Sequence, residues 1–324
     1  MTQGQADGSR RGLAISKVLA LGAMSGIFLM SAAAQASDRR GAFTEEFHKV
    51  YPLSAQGRIE IENINGPVHI TGWDRNEVKV DAVKSAWSKE RLDEAQIDVR
   101  AEQNNLSIRT EYPDHDRTFN FGGNFANNSS NDDEHNNPAS VEYTITVPRQ
   151  AQLDKISLVN GRLDVQEVAG EVHASCVNGR IQAHNLQGAV QLETVNGELD
   201  ASVDQLPSSE LKLSSVNGRL RVTLPSDAKA ELKASTVSGN ISDEFGLPVT
   251  RHQYVGRSLH GQLGGGGTLV KLSNVNGTIE IRHASDNRPL SPAQNLERER
   301  GRTNTNTNTN DDEKNDNDNN DDEI

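Results

Sequence analysis

Asp164, Asp200, Arg180 and Arg219 are the residues of this chain whose types and spacing could do chemistry. Carboxylates and guanidinium groups recurring on one strand face could supply acid, base and charge stabilisation for cleaving a polysaccharide. Any coil with a polar outside offers the same combination, so the set is unspecific. The nine histidines (His48, His69, His115, His135, His173, His184, His252, His260 and His283) form neither H-E-x-x-H nor another metal-ligand spacing. A nucleophile elbow, a Walker loop and paired cysteines are missing from the sequence. Cys176 is the sole cysteine, so no intramolecular disulfide can form. Gly264–Gly267 could cradle a phosphate ahead of a helix, but a strand-like run, Thr268–Leu272, follows it. Asp316–Asn320 starts like a calcium loop, without its glycine, its distant glutamate or its flanking helices. The expectation is a chain with no catalytic set, no cofactor and no metal.

The elements that would position these residues are marked by a repeat. Val-Asn-Gly, or once Val-Ser-Gly, ends at Gly161, Gly179, Gly197, Gly218, Gly239 and Gly277, with spacings of 18, 18, 21, 21 and 38 residues. A unit recurring at a nearly fixed period implies one structural element stacked on itself. Alternation surrounds each motif: Val172, Ala174 and Cys176 before it, Ile181 and Ala183 after it. Two strands per unit follow, with one face apolar and the other polar. Asn and Gly tolerate the positive φ of a sharp corner. The corner pairs are Asn160 and Gly161, Asn178 and Gly179, Asn196 and Gly197, Asn217 and Gly218, Ser238 and Gly239, and Asn276 and Gly277. Asn-Gly also suits hairpins, so an antiparallel meander is the rival, and constant spacing favours a coil. Equivalent strands then stack in parallel about 4.8 Å apart, and their asparagines can bond along a ladder. On the polar face Arg180, Glu198 and Arg219 fall in line, as do Asp200 and Arg221. Each exposed pair is worth about 0.2–1 kcal/mol and helps to set register.

Outside the repeat, alternation over Arg58–Asn65, Val68–Trp73, Glu77–Asp81 and Val141–Val147 predicts further strands. Ser88 to Gln96 reads as a short helix capped by Ser88, and Ile97–Arg100 with Leu106–Thr110 as a hairpin. Residues 113–139, rich in Asn, Asp, Gly and Ser with Phe119, Phe121 and Phe125 among them, read as an inserted loop, and 248–267 as another. Asn128-Ser129-Ser130 matches a glycosylation sequon. Residues 285–324 lose the pattern and read as a disordered, low-complexity acidic tail.

Residues 1–36 read as an export signal: Arg10, Arg11 and Lys17, then the apolar Val18–Met30, then Ala34-Gln35-Ala36. The apolar run is shorter than the ~20 residues of a membrane span, so no transmembrane anchor is expected after cleavage. The net charge is −13, and residues 311–324 alone carry eight acids and one lysine. An acidic exported chain is a poor partner for nucleic acid or anionic lipid.

The repeated V-[NS]-G, the opening Gly57-Arg58-Ile59-Glu60-Ile61, Gly72-Trp73-Asp74 after a strand, and the glycine run before the last repeat together resemble the bacterial "putative adhesin" β-strand-repeat family. The resemblance spans roughly residues 43–284. It implies an exported or envelope-associated β-solenoid-like domain without established catalytic residues. The expected fold is all-β: a parallel β-solenoid or β-helix-like stack over 37–284 with V-N-G corners, one short helix and a disordered tail. The expected function is a non-enzymatic envelope or extracellular interaction module, periplasmic or secreted, with a protein or glycan partner. The alternative is a polysaccharide-cleaving β-helix.

Overall fold

The computed structural model describes residues 43–113, 138–207 and 209–296. The proposed leader, Phe119, Phe121 and Phe125 with the sequon, and the tail beyond 296 lie outside the described residues.

The chain forms a rack of parallel rungs, nearly all β. Each rung runs up one sheet, bends at its corner and continues in a second sheet. Three rungs are single long strands, β8 (Gln152–Gln166), β9 (Val172–His184) and β10 (Val190–Ser202), and in them pairing continues through the bend. The other rungs break at the corner: β2 (Arg58–Asn65) with β3 (Val68–Trp73), β11 (Leu211–Asn217) with β12 (Leu220–Leu224), β13 (Ala230–Ser238) with β14 (Ile241–Asp243), and β17 (Thr268–Asn276) with β18 (Ile279–His283).

Among the Asn-Gly and Ser-Gly corners the spatial order departs from the chain order at one place. Asn65 pairs with Asn160, then Asn178, Asn196 and Asn217 follow in sequence. Next comes Asn276, and Ser238 lies outside it. The chain therefore lays down β13 and β14 first and returns to slot β17 and β18 beneath them. Residues 248–267, expected as a loop, make this possible. They hold β15 (Thr250–Arg251) and β16 (Arg257–Leu263), and β16 runs antiparallel along the outer edge of β13. Gly264 to Gly267 all take positive φ, from 59° to 157°, and turn the chain from β16 into β17.

Beyond β2 the first sheet continues with β6 (Asn105–Glu111), parallel to β2, and closes with β5 (Gln96–Glu102) antiparallel to β6. Beyond β3 the second continues with β7 (Ser140–Pro148), parallel to β3, and closes with β4 (Glu77–Ala86) and β1 (Phe43–Pro52), each antiparallel to its neighbour. At the far end β19 (Ala293–Asn295) pairs with β16, so residues 285–296 still contain a strand where the sequence pattern had already faded. Helix α1 (Lys89–Glu94) starts where Ser88 Oγ accepts from the Arg91 amide at 3.3 Å.

The core lies between the sheets. Val172, Ala174 and Cys176 point inward before the corner, and Ile181 and Ala183 after it. Inward parity changes from even to odd, because the corner inserts an odd step into a period-two chain. The same switch recurs at each rung, so both halves bury their apolar face in one continuous core.

Candidate interaction surface

The corner is built from backbone outward. At Gly197 φ is +149°, and a Cβ placed there would sit 1.6 Å from the carbonyl oxygen of Gly179 on the adjacent rung. No side chain fits such an approach, so the glycine is set by rung stacking as well as by its dihedral. Beside it the asparagines form a one-directional chain: Asn276 Nδ2 donates to Asn217 Oδ1, Asn217 to Asn196, Asn196 to Asn178 and Asn178 to Asn160, each at 3.0 Å. Ser238 takes the outermost rung, opposite Asn276.

Behind the corner, inward side chains reach the glycine carbonyls. Asn63 Nδ2 donates to Gly66 O at 3.1 Å, and Asn274 Nδ2 to Gly218 O at 2.9 Å. Buried Cys176 points its thiol at Gly161 O, 3.6 Å away. Burial pushes that thiol's pKa up, which disfavours the reactive thiolate.

Each motif's valine faces solvent. Val159, Val177, Val195, Val216 and Val275 are 39–41% exposed, and Val237 is 53% exposed. They form a column at the strand spacing, because the residues flanking each valine pair directly across the rungs. Ile64 belongs to the same column, since Ile64-Asn65-Gly66 occupies the corner of the β2–β3 rung. The sequence pattern gives a strand and an Asn-Gly turn here but leaves them outside the repeat, because the valine is replaced and the next motif lies far along the chain. Beyond Val237 the hairpin between β15 and β16 continues the line. A Cβ on Gly256 would lie 3.9 Å from the Val237 Cα, and the adjacent Val255 and Tyr254 are 63% and 90% exposed.

Alongside the valines runs a second column of five serines and one glutamate: Ser157, Ser175, Glu193, Ser214, Ser273 and Ser235. Between the two columns lies a groove of about 350 Å³, walled by Val177, Val195, Val216 and Val275. Glu193 is the one charged residue lining this groove, and Lys212 Nζ lies 3.7 Å from it. At the Ile64 end the serine column gives way to Glu62, paired with Lys155 and Arg109.

The outer face of the second sheet is charged and internally matched. Arg180 meets Glu198 at 2.6 Å, and Arg219 reaches Glu198 and Glu280. Arg221 bridges Asp200 at 3.1 Å and Glu280 at 3.0 Å. Asp164 bonds His69 Nδ1 at 2.8 Å. Asp164 and Asp200 therefore sit two rungs apart with Gln182 between them, each already engaged by a cation or imidazole. Partial burial pushes the Glu280 carboxyl upward. The hydrogen bond from Arg221 and the charges of Arg221, Arg282 and Arg219 outweigh it and hold the pKa below the usual value of 4.5. A carboxyl whose folded pKa is depressed adds stability above its unfolded pKa and loses it as pH falls through the folded one. Wild type should therefore out-melt Glu280→Gln at neutral pH, with the gap closing as pH drops below about 4.5. A gap independent of pH in thermal melts would refute this.

Among the described residues, no group of three or more His, Cys, Asp or Glu is arranged to hold a metal, and no helix is long and apolar enough to cross a membrane.

These stacked, corner-hinged rungs define a toastrack-like domain. Residues 168–282 match the family model described as Toastrack DUF4097. The likeness expected from the V-[NS]-G motifs is thus found. No curated protein matches the chain. Among solved structures, a "putative cell adhesion protein" from Clostridium sporogenes is 13% identical, with a TM-score of 0.43, covering 74% of this chain and 100% of its own. A "putative adhesin" from Bacteroides fragilis is 11% identical, with a TM-score of 0.22, covering 73% and 97%. One from Parabacteroides merdae is 10% identical, with a TM-score of 0.22, covering 73% and 96%.

Proposed function

We propose that the chain is an exported, non-enzymatic interaction module of the cell envelope or its surroundings, and that it makes contact through the corner strip. The observation that carries this reading is the exposed aliphatic column. Corner geometry demands the glycine and rewards the asparagine, but it makes no demand for an apolar residue before them. Threonine has the same branching and strand preference without exposing a second methyl to water. Valine or isoleucine nevertheless stands at every corner from Ile64 to Val237. A continuous exposed apolar line rimmed by polar residues is the signature of a contact surface. The engagement of Asp164 by His69 and of Asp200 by Arg221 supports structural ladders over catalysis on the second sheet's outer face.

The test is capture of protein, glycan or peptidoglycan from envelope fractions by the immobilised protein. The comparison is a variant with Val177, Val195, Val216 and Val275 all replaced by Thr. Retention by wild type and its loss in the variant is the expected result. Equal retention by both would remove the strip from the interaction. Release of sugar ends by the purified protein would favour the polysaccharide-cleaving reading instead, and Asp164→Ala or Asp200→Ala should then abolish it.

A further inference from the structure

We propose that the partner seated on the corner strip is a second copy of this chain, each copy's valine column lying in the other's serine-lined groove. The proposal rests on the reading of the strip as a contact surface. Three features of the strip select this occupant.

The first is period. Columns on a rack of parallel strands recur every ~4.8 Å, whereas same-face residues of an extended peptide recur at twice ~3.3 Å. A peptide laid along the strip would drift out of step within two or three residues. A second rack keeps step over the whole length, which allows dry interdigitation of identical side chains. The second feature is shape. Ridge and groove lie side by side on one surface, so a two-fold axis lets each fill the other, as an isologous interface requires. The third is charge. The chain carries −13 overall, and two like-charged copies approach at least cost where each is neutral. The groove from Val177 to Val275 offers that place, with Glu193 as its one charged lining residue and Lys212 beside it. Tyr254 and Val255, 90% and 63% exposed, extend the apolar line at its end.

Sedimentation equilibrium of the purified protein over a concentration series tests this, comparing wild type, Val195→Glu with Val216→Glu, and Thr223→Glu. Thr223 lies on the second sheet's outer face beside Arg282 and controls for added charge. Wild type and Thr223→Glu should show a monomer–dimer equilibrium, and the double variant should bind itself at least tenfold more weakly with an unchanged circular dichroism spectrum. Should the double variant misfold, the four-threonine variant serves in its place. A wild type that stays monomeric throughout, or a dimer indifferent to the strip substitutions, would overturn the proposal. If envelope capture still depended on the valines in that case, the strip would remain a contact surface with a different occupant. If capture were also indifferent, both readings would fall.

Discussion

Gly197→Val is expected to cost at least about 4 kcal/mol, a large share of the stability of an ordinary domain. Two independent demands meet at this residue. Its φ of +149° is strained for a β-branched side chain, and its Cβ would fall 1.6 Å from Gly179 O. The obstacle is backbone of the adjacent rung, which cannot rotate away. Relief requires parting the rungs, and with them the ladder and the Asn178–Asn196 hydrogen bond. Gly246→Ala is the matched control. Its φ is +87° with nothing within 4 Å of the added carbon, so only the left-handed penalty of about 1–2 kcal/mol applies. Urea denaturation of the two variants separates stacking from dihedral preference. A Gly197→Val melt like that of wild type would show the corner assignment to be wrong.

Asn63→Ala is expected to cost about 2–4 kcal/mol, a large effect for the loss of one polar side chain. Asn63 is buried and ties the first corner to the flanking strands β6 and β7. Its Nδ2 donates to Val141 O at 2.9 Å and to Gly66 O, and its Oδ1 accepts from Thr110 Oγ1 at 3.0 Å. Thr110 in turn lies 2.8 Å from the hydroxyl of Tyr143. Burial pushes that phenol's pKa up to about 12, so it stays neutral throughout the working range. Alanine leaves two carbonyls and a threonine hydroxyl without this partner in a water-excluded place, where the loss is felt in full. Tyr143→Phe removes only the terminal hydroxyl and should cost about 1 kcal/mol. A loss below about 1 kcal/mol for Asn63→Ala in urea melts would mean that the first corner does not depend on this network.

Much of this molecule is legible in its sequence because its rules are local. Alternation around each motif fixes which residues enter the core, and the change of parity between Cys176 and Ile181 gives the bend. Ser88 announces α1, and the charge pairs Arg180–Glu198 and Asp200–Arg221 follow from register alone. The order of the rungs is not legible. The corner residues at 216–218, 237–239 and 275–277 are nearly the same, so every neighbour offers the same fit. What selects 217–276–238 is the β15–β16 cap, hidden in a stretch whose glycines and polar residues resemble a loop. The strip was obscured for another reason. The glycine and asparagine drew attention as corner makers, while the valine beside them passed as part of the strand. Its outward direction follows from the same parity, since Cys176 points inward and Val177 must then point out. Ile64 escaped because one substitution broke the motif.

If these valines serve contact rather than folding, the four-threonine variant separates the two roles. Each of the four substituted valines already covers more than half its surface against its surroundings, so a purely structural column would register threonine substitution as lost stability. Thermal melting and envelope capture are to be measured on one preparation of the variant. The account predicts a melting temperature within a few degrees of wild type and a loss of capture. A marked fall in melting temperature with capture intact would contradict it.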